Sequence, residues 1–178
     1  MIRALAIALV FPLAVAAQSV LEPEDYETQH YRGPVPISLN GGTVVDADAA
    51  YALWKTGRVS FIDVLPRAPK PANLPEGTIW RDKPRLSIPG AIWLPNVGYG
   101  RLADVTHAYF KAGLSKITSG DSTHPVVFFC LDECWMSWNA AKRAIEEYGY
   151  TNVFWFPEGT DGWEFEDYPT EEVIAEPQ

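Results

Sequence analysis

The chain has 178 residues, and its formal net charge at pH 7 is −9 because 23 acidic side chains outnumber 14 basic ones. A surface of this sign repels polyphosphate backbones and anionic lipids, which excludes nucleic acid as a partner. Seven tryptophans and an aromatic fraction of 13% predict a single folded domain with a substantial buried core.

The first 17 residues are typical of a secretory signal peptide. A single basic residue, Arg3, precedes an apolar run over 4–17 that is too short to span a bilayer comfortably. Small side chains predict cleavage after Ala16 or Ala17. We therefore expect an exported protein of the periplasm that has no membrane attachment after cleavage.

An extended arm is predicted over residues 18–40, which are rich in proline and lack the periodicity of a helix or a strand. A short helix follows, with Asp46 as its N-cap and Gly57 at its end. The apolar run over 59–64 predicts a buried strand. The proline-rich stretch over 65–86 predicts a long surface excursion without regular structure.

The second half of the chain alternates predicted strands and helices. A turn is predicted over 157–163, and an acidic C-terminal tail over 169–178. Short, continuously apolar strands that alternate with helices predict an α/β fold with a parallel sheet covered on both faces. The remaining predicted elements are strands over 88–95, 125–130 and 152–156, and helices over 105–112 and 139–148.

Two cysteines lie in the predicted loop after the strand over 125–130. Cys130 ends that strand, and Cys134 lies four residues further along. With the next helix expected to begin seven to nine residues after Cys130, the backbone amides between them can form an anion-binding cradle and lower a thiol pKa. The carboxylates of Asp132 and Glu133 oppose that effect. The pair could serve as nucleophile and resolving thiol, as soft-metal ligands, or as a stabilising disulfide.

Other side chains near the two cysteines have structural alternatives to a functional role. Trp135 and Trp138 either wall a pocket or pack in the core. Ser137 and Asn139 are predicted N-cap residues of the following helix. The residues predicted to contact a substrate are Asp132, Glu133, Trp135, Met136 and Ser137.

Histidines show no metal-ligand spacing along the sequence. His30, His107 and His124 are each isolated, so surface or loop positions are expected for them. The sequence also lacks a nucleotide-binding glycine motif and a serine-nucleophile elbow. We therefore expect neither a metal nor a cofactor.

The order of these features resembles the rhodanese (sulfurtransferase-like) domain over nearly the whole mature chain. The segments that carry the resemblance are Phe61-Ile-Asp63-Val, Ile88-Pro-Gly-Ala-Ile92, the strand ending at Cys130, and Gly159-Thr-Asp-Gly162-Trp163. The resemblance implies a three-layer α/β fold over 41–168, with a mostly parallel central sheet and helices on both faces. It implies a persulfide-forming role for Cys130. It also implies structural roles for Asp63, Gly159, Gly162 and Trp163.

More narrowly, the sequence resembles an exported rhodanese-like family named for a CXXCW motif and for its association with pyrroloquinoline quinone (PQQ)-dependent catabolism. The matching segments begin at Tyr31 (YRGPVP), Cys130 (CLDECWMSWNAA) and Pro157 (PEGTDGW), although three residues rather than two separate the cysteines. The resemblance implies a periplasmic context of alcohol oxidation, with a quinoprotein dehydrogenase or c-type cytochrome as partner. It does not imply that this chain binds the quinone.

Sulfur transfer and thiol–disulfide exchange both remain open for Cys130, with Cys134 as the resolving thiol. Active rhodanese loops place a basic side chain after the cysteine, whereas Asp132 and Glu133 here would repel anionic donors such as thiosulfate. One alternative is a copper-handling CxxxC protein resembling the Sco proteins, with a distant histidine as third ligand. The other is a non-enzymatic module that presents Trp135 and Trp138 to an oxidoreductase or cytochrome.

Overall fold

The computed structural model describes residues 20–79 and 84–177 of the chain. The predicted signal peptide over 1–17 lies outside the described residues. None of the helices in the described ranges is both long enough and apolar enough to cross a bilayer. In chain order the elements are β1 (Thr43–Val44), α1 (Ala47–Lys55), β2 (Ser60–Asp63), β3 (Arg85–Ser87), β4 (Ile92–Trp93), α2 (Asp104–Thr118), β5 (Val126–Phe129), α3 (Trp135–Glu146), β6 (Val153–Phe156), α4 (Gly159–Phe165) and β7 (Glu171–Val173).

The centre of the fold is a five-stranded parallel sheet in the order β1-β6-β5-β2-β4. Side chains of β5 alternate between its two faces, as they must in a strand. Val126 and Phe128 pack with α2 and α3 on one face, whereas Val127 and Phe129 pack with α1 and α4 on the other. The structure therefore confirms the predicted three-layer α/β fold, in which helices cover both faces of a parallel sheet.

Helix α1 begins as the sequence predicts. The carboxylate of Asp46 accepts a hydrogen bond from the backbone N–H of Ala49 at 2.9 Å, which satisfies one of the free donors of the first turn. Within the helix, the side chain of Ala50 is fully buried. The helix ends at Lys55, and Gly57 takes a positive φ of 64° just beyond it.

Three predicted boundaries in the second half of the chain are wrong. Helix α3 begins at Trp135 rather than near residue 139, and Cys134 is its N-cap, so Ser137 and Asn139 lie inside the helix instead of capping it. Helix α2 extends over 15 residues, beyond the predicted 105–112. The predicted turn over 157–163 lies largely in the short helix α4, which is held to the sheet by the fully buried Trp163.

The C-terminal tail and the end of the proline-rich excursion form a second, two-stranded sheet. Strand β3 pairs antiparallel with β7, with Arg85 opposite Val173 and Ser87 opposite Glu171. The predicted excursion over 65–86 is therefore wrong at its last two residues. Arg85 and Ser87 point inwards on alternate positions of β3 while Leu86 is exposed, which brings a buried arginine to the carboxyl edge of the main sheet.

Candidate functional site

The two cysteines form a disulfide between a strand end and a helix start. Cys130 follows β5 directly, and Cys134 is the N-cap of α3. The sulfur atoms are bonded to each other, with the two Cα atoms 6.5 Å apart. Both residues are almost completely enclosed, since Cys130 is 0% and Cys134 is 2% exposed. The predicted juxtaposition of the two cysteines is therefore present, in its oxidised form.

The backbone amides of this loop already have hydrogen-bond acceptors. The amide of Asp132 donates to a carboxylate oxygen of Asp161 at 3.1 Å, and that of Glu133 donates to Asp132 at 2.8 Å. The amide of Trp135 donates to the carbonyl oxygen of Tyr31. These three donors are not free for an external anion, so the predicted cradle is filled at these positions by the chain's own oxygens.

The N-terminal arm covers the disulfide on one side. Arg32 forms an antiparallel bridge with Cys134, in which Gly33 N–H donates to the Glu133 carbonyl oxygen at 3.0 Å. The Trp135 indole N–H donates to the carbonyl oxygen of Pro34 at 3.1 Å. The arm therefore occupies the backbone edge through which an extended segment could reach Cys134.

Asn139 anchors the arm further along α3. Its side-chain amide donates to the carbonyl oxygens of Glu27 at 2.8 Å and Gly98 at 2.9 Å. Its side-chain oxygen accepts the backbone N–H of Glu27 at 3.0 Å. A buried amide whose donors and acceptor are satisfied in this way fixes the position of the arm. The N-cap prediction missed this role because the helix begins four residues earlier.

On the opposite side of the loop, a buried ion pair connects β2 to β3. The Arg85 Nε atom lies 2.7 Å from Asp63 Oδ2, and the Asp63 side chain is completely buried. Asp63 also accepts hydrogen bonds from the Ser87 hydroxyl at 2.6 Å and the Leu65 backbone N–H at 2.9 Å. Burial is the largest influence on the pKa of Asp63 and raises it above the ordinary value, while Arg85 and the two other donors oppose that rise.

The same arginine contacts the backbone of the disulfide loop. Arg85 Nη2 donates to the carbonyl oxygen of Cys130 at 3.3 Å. That oxygen also accepts the Thr160 backbone N–H at 3.0 Å, and its hydroxyl at 3.3 Å. A positive charge and two neutral donors therefore converge on the peptide that carries Cys130.

Gly159 permits this close approach of α4 to the disulfide loop. Its φ is 54°, and a Cβ atom at this position would lie 2.6 Å from the Cys130 carbonyl oxygen. An alanine would need both a left-handed backbone and space that the loop occupies. Gly162 has a related restriction, because a Cβ there would lie 2.4 Å from the Glu158 side chain. These contacts place the predicted structural residues Gly159 and Gly162 at tight packing points.

A cleft of about 420 Å³ opens next to the loop. Its wall includes Arg85, Leu131, Thr160 and Asp161, together with apolar surface from Trp93. The two cysteines are not among its lining residues. The cleft therefore adjoins the Cys130 peptide rather than the disulfide itself.

The residues predicted to bind substrate fall into two groups. Asp132 and Glu133 are exposed at the loop tip. Trp135, Met136 and Ser137 are buried at the start of α3. The Ser137 hydroxyl donates to the Cys134 carbonyl oxygen at 3.0 Å and accepts the indole N–H of Trp155 at 3.0 Å.

The three histidines are dispersed. His124 Nε2 lies 3.0 Å from the Ser60 hydroxyl, and His107 Nδ1 lies 3.0 Å from the Tyr148 hydroxyl. His30 is exposed on the arm. Across residues 20–79 and 84–177, no group of three or more histidine, cysteine, aspartate or glutamate side chains is arranged to hold a metal ion.

Arg85 and Thr160 are the site residues that the sequence analysis missed. A signal was present for Arg85, because a carboxylate predicted at the end of a buried strand needs a cation or several donors nearby. Arg85 and Ser87 also have the two-residue spacing of one strand face, directly before the Ile88-Pro-Gly-Ala segment. The 22-residue separation between Asp63 and Arg85 conceals the pair in the sequence.

Comparisons with known proteins identify the fold. No family model matches the chain, and no curated protein sequence matches it. The structure is similar to a thiosulfate sulfurtransferase from Pseudomonas aeruginosa, with a TM-score of 0.50 and 15% identity over 76% of this chain. The chain spans only 21% of that protein's length. A rhodanese-like domain from Anabaena sp aligns with a TM-score of 0.45 and 15% identity, over 73% of this chain and 79% of that one. The similarity to the sulfurtransferase structure shows that the chain has a rhodanese-like α/β fold.

Proposed function

We propose that this protein carries out thiol–disulfide exchange through Cys130 and Cys134. The observation that carries the proposal is the disulfide between the end of β5 and the N-cap of α3. A cysteine at a helix N-terminus has a stabilised thiolate, because the helix dipole favours negative charge there. A pair in this position can exchange electrons with other thiols.

The exchange has a simple balance. A thiolate of an external dithiol attacks one sulfur of the Cys130–Cys134 bond, forming a mixed disulfide and releasing the other cysteine as a thiolate. The second thiol of the external dithiol then breaks the mixed disulfide. The protein gains two electrons and becomes a dithiol, while the external dithiol becomes a disulfide. In the reverse direction we assign Cys130 as the nucleophile, following the persulfide-forming role that the rhodanese resemblance implies for it, and Cys134 as the resolving thiol.

Thiol–disulfide exchange fits the observed pair better than sulfur transfer does. The oxidised pair has no thiol to receive a sulfur atom, so a persulfide on Cys130 requires prior reduction by another thiol. The exposed carboxylates of Asp132 and Glu133 also disfavour an anionic sulfur donor. Sulfane sulfur transfer therefore remains a reaction of the reduced protein only.

We also propose that the exchange takes place in the periplasm and serves PQQ-dependent alcohol catabolism, with a quinoprotein dehydrogenase or c-type cytochrome as partner. The support for this context is the signal-peptide pattern over 1–17 and the resemblance of the segments beginning at Tyr31, Cys130 and Pro157.

A second candidate, a non-enzymatic partner module, is favoured by one observation. The two cysteines are 0% and 2% exposed, which is the environment of a structural disulfide. The two candidates differ in one measurable property. The disulfide of an exchange protein is reduced by mild dithiols while the protein stays folded, whereas a structural disulfide is reduced only when the protein unfolds.

The test measures reduction of the folded protein purified from the periplasm. The oxidised protein is incubated with dithiothreitol buffers of increasing reducing strength, quenched in acid and alkylated, and free thiols are counted by intact mass. We expect two thiols to appear together while near-UV circular dichroism stays native. Reduction that occurs only with loss of the native spectrum would reject exchange and favour the partner module.

Single variants assign the roles of the two cysteines. In Cys134→Ser, Cys130 is the free thiol, and we expect it to form a mixed disulfide with oxidised glutathione about tenfold faster than Cys134 does in the matched variant Cys130→Ser. Equal rates would contradict the assignment of Cys130 as nucleophile. Reduced wild-type protein treated with a polysulfide, followed by intact mass, shows separately whether either thiol gains one sulfur atom.

A further inference from the structure

Arg85 brings a positive charge to a cysteine loop that has no basic residue of its own. Where active rhodanese loops have a basic residue after the cysteine, this loop has Asp132 and Glu133, both exposed to solvent. Arg85 approaches the same loop from β3 and donates to the Cys130 carbonyl oxygen at 3.3 Å. Its side chain is only 10% exposed. A cation from a separate strand therefore lies against the Cys130 peptide.

The ion pair with Asp63 does not cancel this charge at Cys130. The Asp63 carboxylate accepts hydrogen bonds from Arg85 Nε, the Ser87 hydroxyl and the Leu65 backbone N–H. The Nη2 end of the guanidinium instead donates to the carbonyl oxygen of Cys130. The positive end of the pair therefore lies against the Cys130 peptide, where burial of Arg85 weakens screening by water.

The remaining charges around the loop are more strongly screened. They lie on the loop tip, on the arm, on α4 and at the rim of the cleft, and all of them are exposed, so water and salt weaken their effect on a buried sulfur. The exposed charged residues in question are Arg32, Arg67, Asp132, Glu133, Asp161 and Glu164.

Building on the proposed exchange function, we infer that Arg85 is a positioning residue that favours reduction of the Cys130–Cys134 disulfide by holding a positive charge against the Cys130 peptide. Reduction takes up two electrons from an external dithiol, breaks the S–S bond and leaves one cysteine as a thiolate and the other as a thiol. A nearby cation stabilises the thiolate but has no comparable charge to stabilise in the disulfide. The reduced state therefore gains more from Arg85 than the oxidised state does.

The dependence on pH separates this electrostatic role from a merely structural one. When both thiols are protonated, the reduced pair carries no charge, so Arg85 has little to stabilise. As the pH rises through the pKa of the more acidic thiol, the thiolate forms and the contribution of Arg85 grows. A packing defect, by contrast, shifts the redox equilibrium equally at low and high pH.

The test compares redox equilibria of full-length mature variants in glutathione buffers at about pH 5 and about pH 8, at which a thiol with a pKa near 7 is protonated and ionised, respectively. For Arg85→Gln we expect the equilibrium constant for reduction to fall about tenfold at the higher pH, which corresponds to about 30 mV, and to change little at the lower pH. Arg85→Lys keeps the charge and should retain most of the wild-type value.

Two further variants separate the loss of the Arg85 charge from structural damage. Arg85→Gln leaves Asp63 buried without its partner, so the double variant with Asp63→Asn removes both charges together and should show the same direction of shift with a smaller size. Ser87→Ala removes a neutral donor to Asp63 and should give no pH-dependent change. Native near-UV circular dichroism is required of each oxidised variant.

The outcomes distinguish the two proposals. A wild-type disulfide that cannot be reduced in the folded state overturns the exchange function and this inference with it. A wild-type protein that titrates normally, with Arg85→Gln and the double variant at the wild-type equilibrium at both pH values, overturns the role of Arg85 alone. Equal shifts at both pH values likewise reject the electrostatic role and leave the exchange function standing.

Discussion

The disulfide loop is held on its two sides by contacts of different kinds. The arm side uses neutral bonds, such as Gly33 N–H to the Glu133 carbonyl oxygen, and Arg32 beside it is exposed to solvent. The other side uses the buried pair of Asp63 and Arg85 together with Thr160. Water can replace neutral bonds at a cost of about 1 kcal/mol each, whereas separating buried charges costs several kcal/mol. The comparison predicts that the arm side of the loop opens more readily than the side of the buried ion pair.

The largest expected effect is on the free energy of unfolding, when the buried ion pair of Asp63 and Arg85 is broken. Asp63→Ala leaves the Arg85 guanidinium buried without its counter-charge, so we expect the free energy of unfolding to fall by about 3–5 kcal/mol. Urea denaturation of the oxidised protein measures the change. Ser87→Ala is the matched control, since it removes only a neutral hydrogen bond to the same carboxylate and should cost about 1 kcal/mol. Similar losses in both variants would mean that the buried charge does not dominate this side.

An intermediate effect is expected on the arm side. Asn139→Ala removes two hydrogen bonds to the Glu27 backbone and one to the Gly98 carbonyl oxygen, so unfolding should become easier by about 1–3 kcal/mol. Dithiothreitol should also reduce the disulfide several times faster under native conditions, because the arm is released more often. Stopped reactions with alkylation measure the rate.

A control for the arm experiment uses a buried polar group elsewhere. Thr118→Val removes hydrogen bonds to the Leu114 carbonyl oxygen and the Tyr150 hydroxyl, away from the arm. It should lower stability to a comparable degree without accelerating reduction. Faster reduction in both variants would show that global unfolding, rather than arm release, exposes the sulfurs.

The smallest expected effect concerns a single arm contact. Trp135→Phe removes the indole bond to the Pro34 carbonyl oxygen but keeps most of the apolar packing, so stability should fall by about 0.5–1.5 kcal/mol and reduction should accelerate slightly. Trp54→Phe removes the same type of bond, to Pro89, far from the loop in sequence and on the opposite face of the sheet. It should leave the reduction rate unchanged. Faster reduction in Trp54→Phe would show that loss of stability, rather than release of the arm, governs access to the disulfide.

The sequence predicts the sheet better than it predicts the elements around the site. Strands such as β5 consist of consecutive apolar residues, which is the pattern that burial on both faces requires. Helix α1 carries a side-chain cap at Asp46 that marks its start. In contrast, α3 begins at Trp135 and its N-cap, Cys134, makes no capping side-chain bond. The first turn of α3 also holds bulky aromatic residues that favour helices only weakly.

Elements around the site depend on tertiary contacts that the local sequence does not contain. Helix α4 has seven residues and two glycines, too short to be stable by itself, and it forms because Trp163 is buried and Gly159 fits against Cys130. The cysteine pair was predictable because both members lie within five consecutive residues. Arg85 was not, because its partners Asp63, Cys130 and Thr160 are 22, 45 and 75 residues away.

The pairing of β3 with β7 has a consequence for the order in which the protein is completed. More than 80 residues separate Arg85 from residues 171–173, which supply the strand opposite it. The main sheet can form from residues up to 156, but β3 lacks its neighbouring strand until residues 171–173 are also in place. A protein shortened at its C-terminus, or one with a bulky tag fused there, would retain both cysteines. It would lose the strand pairing that holds Arg85 against the Cys130 peptide.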